Sequence, residues 1–293
     1  DPDVIHDFAL KVGSIETLNH LYLLTVADIR ATNPSLWNFW KDTLLKELYI
    51  AAHNALHRGL HNPVIRSERI YDNIKEAQQE LLRLGMSEPS IRQSWQHLSD
   101  DYFLRYSADE ISWHTIAIAA STDSELPLVL LRPQTQRGSA EIFVYTTNER
   151  GIFSICTASL DQLGLTILDA RIITTSDQYV LNSFQVLEQS GEAISDLHRQ
   201  IHICSTLRQN LLNKGSIKVN RNIYKQSRQA QHFPIKTQLT FLDDSNSKHT
   251  ILELITTDRA GLLSLIGQAF SELNIQLHDA KITTIGSRAE DMF

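Results

Sequence analysis

One block of this chain is written twice. Tyr145-Thr146-Thr147-Asn148-Glu149-Arg150-Gly151-Ile152-Phe153 returns as Ile255-Thr256-Thr257-Asp258-Arg259-Ala260-Gly261-Leu262-Leu263, 110 residues later. Downstream, Leu160, Leu163, Ile167, Asp169, Ala170, Arg171, Ile172 and Thr174 answer at the same offset to Phe270, Leu273, Leu277, Asp279, Ala280, Lys281, Ile282 and Thr284. An offset that never slips means two copies of one folded unit. Any fold for this chain has to contain that unit twice.

The unit reads as strands alternating with helices. Residues 141–147 form a strand, and Gly151 opens a helix whose apolar face is Ile152, Ile155, Cys156, Leu160 and Leu163, ended by Gly164. Strands follow at 165–175 and 179–188, joined by Ser176-Asp177-Gln178. Ile194, Leu197, Ile201, Cys204, Leu207 and Leu211 mark a second helix, and 237–242 can supply the last strand. The order is βαββαβ, the ferredoxin-like arrangement. Ahead of it, 128–131 is a further strand candidate, with a loop over 133–138. The second copy starts near 249 and stops after its second strand, so about half of it is present. Half a unit exposes a sheet edge and an apolar helix face, which predicts packing on the first copy or on another chain. Between the copies, 213–236 is basic and polar (Lys214, Lys218, Arg221, Lys225, Arg228) and reads as a solvated linker.

Upstream the pattern is helical. Leu18, Leu21, Tyr22 and Leu24 fall at helical spacing, as do Leu44, Leu45, Leu48 and Ala52, with a break at Thr32-Asn33-Pro34-Ser35, where Ser35 can cap the second helix. That helix ends near Gly59, before Asn62-Pro63. An amphipathic helix over 68–84 follows, then starts at Ser87-Glu88-Pro89 and Ser107-Ala108-Asp109-Glu110. The fold class is α+β: a helical N-terminal segment, then two ferredoxin-like modules in tandem, the second truncated. The expected divisions are 1–62, a helical connector over 63–126, the first module with its linker over 127–243, and the second over 244–293.

Composition narrows the function. A net charge of −7 and a pI near 5.9 argue against nucleic acid or an acidic membrane surface as partner. The sequence has no apolar run of membrane-spanning length and no signal segment. Cys156 and Cys204 lie on apolar helix faces and read as reduced core residues of a cytoplasmic protein. The abrupt ends, Asp1-Pro2-Asp3 and Met292-Phe293, give the look of an excised piece.

The duplicated turn has a chemistry. A glycine lets a ligand approach the backbone, and the helix behind it offers unpaired N–H groups and a positive dipole end, which suits a carboxylate. Asn148 and Asp258, three residues ahead of the glycines, can cap the helix or bind an amino group. Capping is the simpler reading of one copy; the same arrangement in two copies points to a ligand. In these residues both repeats resemble ACT domains, βαββαβ modules that bind amino acids and similar effectors. The usual motif there, Asp-Arg-Pro-Gly-Leu, stands here as Asn148-Glu149-Arg150-Gly151-Ile152 and Asp258-Arg259-Ala260-Gly261-Leu262, without the proline in either copy and without the acid in the first. The resemblance implies pairing of the modules, with effector residues Asn148, Gly151, Ile152, Asp258, Gly261, Leu262 and Asn274.

It extends beyond the repeats. The segment 21–34 (Leu-Tyr-Leu-Leu-Thr-Val-Ala-Asp-Ile-Arg-Ala-Thr-Asn-Pro) with Trp37, then Asp101-Tyr102-Phe103-Leu104-Arg105 with Trp113-His114-Thr115, and His232-Phe233-Pro234-Ile235-Lys236 are very similar to the bifunctional uridylyltransferase/uridylyl-removing enzymes of bacterial nitrogen control. That family implies a nucleotidyltransferase domain, an HD phosphohydrolase domain and two ACT domains. Its PII signalling protein is uridylylated when glutamine is scarce and deuridylylated when it is plentiful. L-glutamine and PII are the partners so implied, with Mg²⁺ or another divalent metal in the parent enzyme and none expected in this segment. Residues 1–62 would be the last helices of the HD domain. Asp28, in Thr25-Val26-Ala27-Asp28, matches a metal ligand of that domain, which the resemblance favours over an Asp that pairs with Arg30 or caps a turn. His6-Asp7 imitates the HD pair but stands where the family shows no fixed histidine. His53, His57 and His61 share a helix face and read as a solvated face rather than a zinc site, and Trp95, Trp113 and Tyr102 as core or interface. No Gly-Ser motif with paired carboxylates is present, so the transferase chemistry does not reside in this segment. The alternatives are another HD-plus-ACT enzyme, such as a guanosine polyphosphate synthetase/hydrolase, and a non-enzymatic ACT regulator.

Overall fold

The computed structural model describes residues 2–32, 37–58, 66–135, 138–213, 235–243, 250–259, 261–282, 284–285 and 288–293. The expected cap at Ser35, the helix end at Gly59 to Pro63 and most of the basic linker lie outside them. The chain forms two compact units.

The first unit is helical: α1 (Pro2–Val12), α2 (Ile15–Thr32), α3 (Phe39–Arg58), α4 (Arg66–Arg83), α5 (Glu88–Trp95), α6 (Asp100–Arg105) and α7 (Ala108–Ala120). Local signals set their starts. The Ser87 hydroxyl accepts the Ser90 N–H to cap α5. Ser107 and Glu110 cap α7 reciprocally: the Glu110 carboxylate accepts the Ser107 N–H at 2.8 Å, and the Ser107 hydroxyl accepts the Glu110 N–H at 3.3 Å. Helix α4 buries Ala77 and Leu81 among the side chains of α6 and α7. Tyr102, Tyr106 and His114 form an aromatic centre there, with Tyr102 Oη 3.1 Å from His114 Nδ1 and the Tyr106 ring edge-on to His114. Trp95 donates to Thr115 at 2.8 Å. The stripe expected on α2 is only partly buried: Leu18 is inside, whereas Leu21 and Leu24 face solvent.

The second unit is a sheet with helices. Its strands are β1 (Leu128–Arg132), β2 (Ala140–Thr147), β3 (Leu165–Thr174), β4 (Tyr179–Glu188), β5 (Gln238–Asp243), β6 (Thr250–Thr257), β7 (Asp279–Lys281), β8 (Thr284–Ile285) and β9 (Arg288–Met292). The spatial order is β1-β2-β4-β3-β7-β9-β6-β5, with β8 paired to β9. Helices α8 (Ile152–Gln162), α9 (Leu197–Asn213) and α10 (Leu262–Glu272) complete it. The core continues across both copies: Ile142, Val144, Cys156, Leu160, Phe184 and Leu207 of the first join Leu263, Phe270, Ala280 and Ile282 of the second.

The strand at 237–242 forms, but it does not close the first copy. It pairs with β6, Gln238 facing Ile255. The edge position beside β2 belongs to β1, Leu128 facing Tyr145. These two hairpins keep the 110-residue offset, so the repeat begins one strand earlier than its motif suggests. Each copy is a ferredoxin-like sheet whose outer strand comes first; the second copy, expected to stop after its second strand, also has its third, because β9 pairs with β6 as β4 does with β2. A hairpin between neighbours closes a far shorter loop than a return across 214–234 would.

The two copies join edge to edge through β3 and β7, with Arg171 opposite Lys281 and Ile172 opposite Ala280. Arg171 and Lys281 are repeat counterparts, so the junction sits on a local two-fold axis. Above it α8 crosses α10 closely. A Cβ added to Gly267 would come within 2.9 Å of Ser154 Cα and 3.1 Å of Thr157 Oγ1, so a hydrogen is all that fits there.

Candidate functional site

Both duplicated turns adopt the same backbone. Gly151 precedes α8 with φ +83° and ψ 0°, and Gly261 precedes α10 with φ +72° and ψ 9°. This left-handed conformation is the reason for glycine, since a Cβ at Gly151 would meet only Ser271 Oγ at 3.9 Å. The N-cap glycines have no side chain with which to cap their helices, and at the second turn the Leu262 N–H donates to the Arg259 carbonyl at 3.1 Å.

In front of α8 lies a cleft. The first turn forms one wall, with Asn148, Gly151 and Ile152; Ile172 and Asn182 form its floor; Gly267, Ser271 and Ile275 to Leu277 of the second copy close it. The backbone N–H of Asn148 donates to the Gln178 carbonyl at 2.8 Å and fixes the turn. The Asn148 Nδ2 is buried without a hydrogen-bond partner. So is the Oδ1 of Asn182, a residue 1% exposed. Buried polar atoms are nearly always paired. Two that are not, on one cleft beside a helix N-terminus, mark a place for a polar ligand.

Asn182 sits in the middle of the sheet, between Val144 on β2 and Ile172 on β3. Burial pushes the Cys156 thiol above it up to about 12, and a hydrogen bond from Asn182 pulls it back down. Oδ1 is the unpartnered end of the Asn182 amide. Cys156 and the half-buried Cys204 are free thiols.

The second turn differs. Burial holds the Asp258 carboxyl above the ordinary carboxylate range, against a hydrogen bond from the Arg259 backbone that lowers it. Leu262 is buried at the start of α10. Asn274 is exposed and ends α10 with φ +56°, the role Gly164 has on α8. Of the residues named from sequence, Asn148, Gly151 and Ile152 share the cleft. Asp258, Gly261 and Leu262 lie at the other turn, and Asn274 stands beside the Ile275–Leu277 wall.

Asn182 and Gly267 were not legible as site residues in the turn motif. Asn182 did leave a trace: it interrupts the inward parity of Val180, Phe184 and Val186 on a buried strand, where an amide needs a reason.

Among its described residues the helical unit offers no comparable constellation. Asp28 is exposed on α2, and among the described residues no three His, Cys, Asp or Glu side chains come together as a metal site. His53 and His57 stack at 6.2 Å, and His61 lies outside the described residues. These residues do not make a site for the divalent metal that the resemblance implies. No described helix is long and apolar enough to cross a membrane.

Residues 66–117 match the family profile described as uridylyltransferase GlnD fifth domain. Over its whole length the chain is 52% identical to a bifunctional uridylyltransferase/uridylyl-removing enzyme of Methylococcus capsulatus. It is 44% identical to the enzyme of that name from Vibrio cholerae serotype O1 and 42% identical to one from Pseudomonas putida. In each case all of this chain is covered and 33% of the relative, so it spans about a third of the length of the curated relatives it matches. The chain belongs to the family of bifunctional uridylyltransferase/uridylyl-removing enzymes.

Proposed function

We propose that the paired ferredoxin-like modules are the effector sensor of such an enzyme, binding L-glutamine in the cleft before α8. The observation that carries this reading is the pair of unpartnered amides, Asn148 Nδ2 and Asn182 Oδ1, on a cleft at the N-terminus of α8. The first-turn N–H groups of α8 and the helix dipole suit the α-carboxylate. The site is built from both copies, so occupancy changes how they fit together. In the whole protein this would bias the balance between UMP transfer from UTP to PII and hydrolytic removal of UMP. The catalytic groups and their divalent metal would lie outside this segment, and the protein would work in the cytoplasm with its thiols reduced. Calorimetry of the full-length enzyme with L-glutamine tests the reading. Saturable binding that is weakened at least tenfold by Gly151→Val supports it; no heat from a folded sample at millimolar ligand defeats it.

A further inference from the structure

We propose that Asn182 reads the side-chain carboxamide of the effector and is the residue that separates glutamine from glutamate. This rests on the sensing reading above.

Three observations carry it. Asn182 lines the cleft, and its Oδ1 is a buried acceptor with no donor. The amide lies against Cys156, and Oδ1 rather than Nδ2 is its unpartnered atom. Ile172, Val180 and Phe153 share the cleft with it, together with the polar Glu149, Arg150, Ser154 and Ser271. A ligand group arriving there must bring a proton and no charge. A carboxylate would set lone pairs against the Oδ1 lone pairs. An ammonium would be desolvated against a single neutral oxygen. A primary carboxamide satisfies both conditions: its NH₂ donates to Asn182 Oδ1, and its carbonyl accepts from a donor such as Asn148 Nδ2, the other unpartnered atom of the cleft. The α-carboxylate and ammonium then remain toward the turn and the start of α8, where the dipole favours negative charge.

The position is singular within the duplication. Asn182 stands opposite Val144, and opposite the counterpart of Val144, Leu254, stands Asp291. The carboxamide-reading oxygen therefore belongs to the first copy.

The test uses the full-length enzyme, with calorimetric titration of L-glutamine, L-glutamate and L-glutamate γ-methyl ester. The ester is neutral and keeps the carbonyl but has no N–H. The wild type should prefer glutamine over both by on the order of 100-fold, since a site that bonds a ligand N–H rejects analogues lacking it. Asn182→Leu should weaken glutamine at least tenfold, leave the ester unchanged, and so collapse the ratio, without lowering the unfolding midpoint of the ligand-free protein. If Asn182→Leu does not fold, Asn182→Ser, whose hydroxyl is too short to reach, should give the same collapse. A wild type that binds the ester as well as glutamine, or a folded variant that keeps the wild-type ratio, overturns the role of Asn182. A folded wild type that binds no glutamine overturns the sensing reading instead.

Discussion

The two copies share a backbone and differ in what fills it. The first sets Asn148 at its turn and Asn182 on its floor, both neutral; the second sets Asp258 and Asp291 at the corresponding places, the latter 2% exposed. The first copy also has α9 over its outer hairpin, where Val129 is 9% exposed. The counterparts of Val129 and Leu131 are Leu239 and Phe241, exposed at 58% and 67%. Duplication preserved the frame because the register and the helix crossing depend on it. The side chains at the turns and on the strands diverged, leaving a neutral pair in the first copy and an acidic pair in the second.

The largest expected effect concerns what the copies share. Gly267→Val drives a branched side chain into the Ser154 backbone at the α8–α10 crossing, with a cost of about 3 kcal/mol or more. A urea midpoint within error of wild type would mean that the crossing is not tight. Next comes the outer hairpin. Val129→Ala should cost about 2 kcal/mol and Leu239→Ala under about 0.5 kcal/mol, although the two are repeat counterparts. Equal costs in denaturant titrations would erase the contrast between the copies. The smallest effect is a pH dependence. Burial raises the Asp161 carboxyl to about 6, and its counterpart is the uncharged Ser271. The unfolded chain loses this proton at lower pH than the folded one, so the folded state binds more protons between about pH 4 and 6 and stability falls as pH rises through that window. Asp161→Asn should therefore gain about 1 kcal/mol or less at pH 7.5, after solvent screening, and nothing at pH 3. Thermal melts at both values check it.

The duplication was legible because it lies in positions that local rules govern: a glycine at positive φ, an apolar helix face, an alternating strand. Strand partnership was not. The 237–242 segment looked like the missing last strand of the first copy, and the same offset that revealed the repeat also relates it to 127–132. Those two strands share no residues distinctive enough to align by eye, and only their hairpin register exposes the kinship. The cleft was half legible. The turn announced itself by repetition, whereas Asn182 and Gly267 matter through neighbours far away in sequence, Cys156 for one and Ser154 for the other. The α2 stripe shows the reverse: the spacing of Leu21 and Leu24 is helical, but spacing does not say whether a partner surface exists.

The junction around Arg171 and Lys281 has a further consequence. A contact in which a strand meets its own copy is the geometry of a homodimer. Written into one chain, that encounter occurs at an effective concentration set by the tether, millimolar for short flexible linkers, rather than by the abundance of the protein. Dilution in a growing cell then cannot pull the halves apart.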